Sequence, residues 1–320
     1  MNRIVDPKNV VLVATKAYAY FAKLLAARLG LDVSPVQRRQ FSDGEKYYRL
    51  NVNSRLDLVG KDVIIVGGTH TEESLLELVR LGTVATELGT RKRIFVIPNQ
   101  GYATMERDKF PGESTNSWVY NLLHSIPNVG AGNIFMFLDL HESGQLNHLK
   151  RDRHVYHAYA EPVLLKGFQC WQKPEIFGTA DVGRPDWVKS YADKFGVEFA
   201  VVYKDRNFEQ TKLFYAIGDV AGKVVGVYDD MIRSFGTADL AVNAYLAKGA
   251  TEVFMGATHL TLNNGDYKKA LARIERSPVS LVLVTNSHPT TERRAVKHCG
   301  KIIVLDVSEV FVQPILAYLK

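Results

Sequence analysis

Val224-Val-Gly-Val-Tyr-Asp-Asp-Met-Ile-Arg-Ser-Phe-Gly-Thr237 carries the clearest signal in this sequence. Its first residues form a near-continuous apolar run, the pattern of a parallel strand buried on both faces. The run ends in paired acids, Asp229 and Asp230; a short loop follows, and a helix is predicted to begin near Thr237. In open α/β sheets, ligands bind beyond the carboxyl ends of parallel strands. A helix start at that place offers unpaired N–H groups and the positive end of its dipole, which together hold a phosphate. The carboxylates suit ribose hydroxyls or a hydrated Mg²⁺. Paired acids at the end of a buried strand are costly without a cation, which favours a binding role over a solvated turn.

The same alternation extends outward in both directions. Short β-branched runs recur at Val10–Ala14, Val63–Gly67, Arg93–Ile97, Ile134–Leu138, Phe199–Tyr203, Glu252–Ala257, Leu281–Thr285 and Lys301–Asp306. Between them, Ala17–Leu29, Glu72–Leu88, Ala238–Lys248 and Tyr267–Ile274 carry apolar residues at helical spacing. This predicts an α/β fold, its sheets largely parallel and flanked by helices. A chain of 320 residues suits two domains of roughly 150 residues. The polar, aperiodic run Gly144–Arg153 sets the expected division. Residues 1–153 form one domain and 154–307 the other, and a final helix within 308–320 is free to pack on the first.

Composition narrows the function classes. No apolar run approaches the ~20 residues of a membrane span, and the start lacks a signal-peptide pattern. Cys170 and Cys299 are the only cysteines, so a disulfide framework is not expected and a cytoplasmic setting is. The net charge of +6 suits anionic ligands, but the basic residues are interleaved with acids and show no aromatic-basic alternation. That pattern argues against nucleic acid.

Three further segments carry polar groups, two of them at the ends of predicted strands. Phe135–His141 delivers Asp139 and His141; a histidine here can ligate a metal or bond a phosphate oxygen, or be structural. Thr179–Gly183 sets Asp181 beside a glycine turn, and Tyr203–Arg206 carries Lys204 and Arg206. Two cations at a strand end can stabilise oxygens in phosphoryl transfer, though taken alone the pair reads rather as an ordinary charged loop.

Taken together, Phe41-Ser-Asp-Gly-Glu45, Asp139/His141, Asp181, Lys204/Arg206 and the Asp-Asp loop stand in the order and approximate spacing of the ribose-phosphate pyrophosphokinase family. Gly218–Lys223, Leu246–Ala250, Thr258-His259 and Val284–Asn286 resemble it too, so the likeness runs from about Val11 to Ala317. The resemblance implies two phosphoribosyltransferase-like domains, Mg-ATP as co-substrate on the N-terminal side, and a ribose-phosphate acceptor on the C-terminal side. It implies that the acceptor's 1-hydroxyl attacks the β-phosphorus of ATP and AMP leaves. His141 and Asp181 would hold Mg²⁺, with Lys204, Arg206 and His141 as the catalytic set. Phe41, Asp43 and Glu45 match the adenine-binding segment, which often acts across a subunit interface; the resemblance therefore implies a dimer-based homo-oligomer, a hexamer being one such assembly. Tyr102 and Arg107 fall in the region of a loop that closes on ATP. Asp229, Asp230, Arg233, Ser234, Phe235, Gly236 and Thr237 form the acceptor-binding stretch.

The chain departs from the family pattern in three places. Arg233 and Phe235 replace an acid and a small residue of the acceptor loop; Thr104–Arg107 replaces the usual Arg-Gln-Asp of the closing loop; Val182–Trp187 replaces a segment with two glycines. A guanidinium can grip a second phosphate and an aromatic ring can stack on a base. The acceptor is thus expected to be the longer ADP-ribose, whose 1-pyrophosphate would serve NAD synthesis, or, with Arg233 in solvent and Phe235 packed in the domain, ribose 5-phosphate. Two other classes share part of the pattern: a phosphoribosyltransferase, which lacks the N-terminal segments, and a regulatory paralogue that has lost catalysis.

Overall fold

The computed structural model describes residues 5–150, 153–171, 173–180, 185–205, 213–262 and 266–320. These fall into two compact units, residues up to 159 together with 308–320, and residues 160–307.

The first unit begins with β1 (Val10–Ala14), α1 (Ala19–Leu29), the strands β2 (Val36–Gln40) and β3 (Lys46–Leu50), then β4 (Asp62–Val66) and α2 (Glu72–Glu87). It continues through β5 (Lys92–Ile97), α3 (Ser117–His124), β6 (Asn133–Leu138) and β7 (His154–Ala158). Its main sheet has the order β1-β4-β5-β6-β7, all neighbours parallel. Every residue of β4 and β6 is buried, as the continuous apolar runs require. Phe95 and Phe135 stack at 4.7 Å in the core beneath α2 and α3, an arrangement contributing roughly 0.5–1.5 kcal/mol beyond area burial. The edge strand β7 belongs to this unit, although its His154, Tyr156 and His157 hide its strand character in the sequence. Against α1 the C-terminal segment docks through Phe311 on Phe21 and a bond from Arg28 Nε to Ser308 Oγ of 3.0 Å.

The second unit holds α4 (Glu161–Trp171), β8 (Ile176–Thr179), α5 (Pro185–Phe195), β9 (Glu198–Asp205), β10 (Leu213–Ile217), β11 (Val224–Ile232) and α6 (Gly236–Ala247). Then come β12 (Glu252–Leu260), α7 (Tyr267–Arg276), β13 (Val282–Thr285), α8 (Arg294–Lys297) and β14 (Ile302–Leu305), before α9 (Val312–Leu319) returns to the first unit. The sheet order is β10-β9-β8-β11-β12-β13-β14, parallel except for β10, which pairs antiparallel with β9. Central β11 therefore points its carboxyl end at the predicted ligand side. Among the described residues, no helix is long and apolar enough to cross a membrane.

Candidate active site

In the second unit, β11 runs further than its apolar run suggests. The strand continues through the acids to Ile232, with Asp229 opposite Ala257, Met231 opposite His259 and Ile232 opposite Leu260 of β12. Asp229 and Asp230 are thus strand residues, not loop residues. The reason is β12, whose buried residues run unbroken from Val253 to Leu260 and extend the ladder. Asp230 is buried, and its N–H donates to Asp229 Oδ1 at 2.9 Å. Beside them, Tyr228 is clamped by Tyr191 at 4.4 Å and Trp187 at 6.0 Å, and shares a hydroxyl bond with Thr258. The loop to α6 follows at once. Arg233, Ser234 and Thr237 are exposed, with Arg233 Nε against Met231 Sδ at 3.2 Å.

At the carboxyl end of β8, Tyr245 of α6 donates to Thr179 O at 3.0 Å, and Thr179 Oγ1 accepts from Val202 N–H. Burial pushes the Tyr245 hydroxyl well above its ordinary pKa, so it acts as a neutral tether. Asp181 and Arg206 lie outside the described residues; Lys204 is placed only by its backbone, opposite Phe214 at the end of β9.

In the first unit, Asp139 and His141 follow β6 as expected. Asp139 is 2 % exposed and its N–H donates to Ala158 O of β7 at 3.0 Å. Leu140 N–H donates to His157 Nε2 at 3.0 Å, so the His157 imidazole must be neutral at that nitrogen. Burial, with a smaller effect of Lys150, lowers its pKa to about 4, consistent with that role. His141 is half-buried next to this turn.

Phe41, Asp43 and Glu45 occupy the exposed tip of the β2–β3 hairpin. Gly44, at φ 95°, supplies the left-handed residue of the turn, and Asp43 Oδ1 accepts from Glu45 N–H. Phe41 is 45 % exposed, and the Arg39 guanidinium lies over both its ring (5.0 Å) and that of Tyr47 (4.2 Å). A cavity of ≈ 650 Å³ opens between hairpin and helix, lined among others by Lys16, Arg39, Lys46, Tyr47, His70 and Glu73. Buried Glu77 of α2 fixes its walls: it accepts from Arg38 Nε at 2.6 Å and from Lys16 N–H.

Beyond β5, Gly101 lies hard against Thr69: a Cβ there would stand 2.2 Å from Thr69 O, so only glycine fits. Tyr102 packs edge-on against Trp118 at 4.8 Å, whereas the Arg107 side chain is 82 % exposed beside Glu106.

Among the described residues, the non-glycine positions with left-handed φ are Tyr102 (58°), Asp139 (36°) and Phe235 (60°). Each falls in a segment singled out from sequence for binding. Backbone strain of ~1–3 kcal/mol per residue persists where the surroundings over-determine it, and it clusters at functional sites.

Comparison with known proteins agrees with this geometry. Residues 10–126 match the N-terminal domain of ribose phosphate pyrophosphokinase, and residues 207–317 match the phosphoribosyl synthetase-associated domain. The phosphoribosylpyrophosphate synthetase from Mycobacterium smegmatis superposes with a TM-score of 0.83 at 25% identity, over 97% of this chain and 99% of that one. The chain belongs to the ribose-phosphate pyrophosphokinase family. It is an enzyme of the ribose-phosphate pyrophosphokinase type. An adenine phosphoribosyltransferase from Leishmania tarentolae matches only in part, at a TM-score of 0.30 and 17% identity over 47% of this chain and 69% of that one.

Within this pyrophosphokinase scaffold, Phe235 takes the packed one of its two expected places. Phe235 does not present an aromatic face to a ligand. It is 2 % exposed and packed in the core with Ile232, Ala238, Leu260 and Leu262. Its left-handed backbone turns the side chain inward, which the sequence alone could not reveal. Sequence reading also passed over Tyr245 and Arg39, whose partners are distant or cross-strand. The only sequence trace of the hairpin pair was Arg39 and Tyr47 flanking the Phe41–Glu45 motif.

Proposed function

We propose that this enzyme transfers the β,γ-diphosphoryl group of Mg-ATP to the 1-hydroxyl of ribose 5-phosphate. The observation that carries the reading is the β11–α6 connection, where two acids on a central parallel strand lead directly into an exposed loop and a helix start. Ribose hydroxyls fit Asp229 and Asp230, and a 5-phosphate fits the N–H groups from Ser234 to Thr237. The acceptor oxygen forms a bond to the β-phosphorus, the bond from that phosphorus to the α,β-bridging oxygen breaks, and AMP leaves with that oxygen. The proton of the attacking hydroxyl is released.

Phe41, Asp43, Glu45, Tyr102 and Arg107 are read as contacts to ATP, and Lys204 and Arg206 as cations that neutralise the transferred group. For Mg²⁺ the donor set fits an ion held mainly by substrate phosphates. Among the described residues no three metal-ligating side chains gather, and Mg²⁺ is commonly bound through one or two protein ligands plus phosphate oxygens. His141, and Asp181 by family resemblance, are the protein ligands proposed; the ion would neutralise charge on the phosphates. The hairpin's exposed Phe41 supports its use by a second copy of the chain in a homo-oligomer.

Burial of Phe235 removes the stacking face that favoured ADP-ribose and leaves exposed Arg233 alone in support of it. Ribose 5-phosphate is therefore the acceptor proposed. Mass spectrometry of the product formed with Mg-ATP and each acceptor tests it. A diphosphate gain on ribose 5-phosphate supports the proposal; a gain on ADP-ribose alone overturns the acceptor and keeps the chemistry.

A further inference from the structure

We infer that Arg273 of α7 is a positioning residue for the acceptor loop, holding Ser234–Gly236 in the form that receives the acceptor's phosphate. The inference rests on the reading of that loop given above.

The loop is held from two sides. On the inside, Phe235 is sunk in the core at φ 60°, a conformation that costs free energy for any residue with a Cβ. On the outside, Arg273 Nη1 donates to Ser234 O at 2.8 Å. The same nitrogen would lie 3.2 Å from a Cβ placed on Gly236, so the guanidinium lies against the glycine backbone. Between the two anchors, Gly236 N–H reaches Ser234 Oγ at 3.4 Å. The carrier of the outer anchor is rigid: Ala270, Leu271 and Ile274 of α7 are buried in the same core as Phe235 and Ala238.

This arrangement has a chemical consequence. A hydrogen bond from a guanidinium is charge-assisted and directional, so it fixes the carbonyl of Ser234 more firmly than a neutral donor would. With that carbonyl bonded to Arg273, the backbone of Ser234–Gly236 is held in one conformation ahead of the helix start. A fixed positive charge next to that start also favours an anion there. Arg273 touches the loop's backbone rather than any reacting atom, so its effect should appear in acceptor affinity.

The test uses the full chain with Mg-ATP and ribose 5-phosphate. Arg273→Ala is expected to raise KM for ribose 5-phosphate about tenfold, the loss of one charge-assisted hydrogen bond, with KM for ATP unchanged. Arg273→Lys should recover most of the affinity, because an ammonium can still donate to Ser234 O. Arg276→Ala, which removes a charge from the same last turn of α7 without touching the loop, should leave both constants as they were. Equal increases for Arg273→Ala and Arg276→Ala would show a diffuse charge effect and overturn the inference. So would unchanged KM values with only a lower melting temperature. If the wild type does not use ribose 5-phosphate, the functional reading fails first. Hydrogen exchange then still decides the positioning role: amides 234–238 should exchange faster in Arg273→Ala, and equal protection would refute it.

Discussion

Two loops of this molecule serve the same proposed reaction and are built in opposite ways. The segment 233–237 is short, joins β11 to α6, and is pinned by a buried phenylalanine inside and an arginine outside. The segment after β5 is long and tied near its ends. Gly101 N–H bonds Thr69 Oγ1, Tyr102 lies on Trp118, and Asn116 N–H bonds Met105 O, whereas Arg107 and Phe110 face solvent. A phosphate cradle gains affinity from being formed in advance. A cover over ATP needs low local stability so that it can open and close. Under the proposed reaction, the first loop suits recognition and the second suits closure.

The sharpest way to break the contrast is to attack the inner anchor. Phe235→Ala should cost about 3–5 kcal/mol of stability, read from denaturant midpoints; a loss under ~1 kcal/mol would mean the loop is not welded to the core. Next in size, Asp230→Asn should lower turnover by about 10²-fold with little change in fold, since it removes a charge from the acceptor side. Wild-type rates in that variant would remove Asp230 from the site.

Acid should loosen the first unit selectively. Burial holds His70 and His157 at about 4, below the ordinary histidine value. The unfolded chain takes up these protons below about pH 6.5 while the folded state refuses them until about 4. The stability they contribute is complete above pH 6.5 and is lost as pH falls toward 4. Melting temperatures at pH 7.5 and 5 should differ accordingly, and His157→Gln should flatten part of the slope. A slope unchanged in that variant would contradict the assignment of His157 as a neutral acceptor for Leu140. The smallest effect belongs to the exposed loop: Phe110→Ala should change stability by no more than about 0.5 kcal/mol. A larger loss would show that this segment is packed rather than free to move.

How much of this was legible beforehand follows from burial. Strands covered on both faces, such as β4, β6 and the start of β11, announce themselves as apolar runs. The hairpin does not, because Arg38, Arg39, Lys46 and Arg49 mark a ribbon that keeps much of its surface in water. The antiparallel strand β10 was missed for a similar reason: Tyr215 and Ile217 are exposed on a sheet edge. At the candidate site, the acids and the loop after them could be singled out because their residue types carry the proposed chemistry. The direction of Phe235 could not, since it depends on one left-handed φ. Nor could Arg273, whose partner lies 39 residues away and is a backbone carbonyl.

The central claim is the reaction, and following AMP release with Mg-ATP and ribose 5-phosphate tests it most directly. The account predicts one AMP per phosphoribosyl pyrophosphate formed, with the rate falling about 10²-fold in Asp230→Asn. A folded wild-type protein that releases no AMP with either ribose 5-phosphate or ADP-ribose would contradict it.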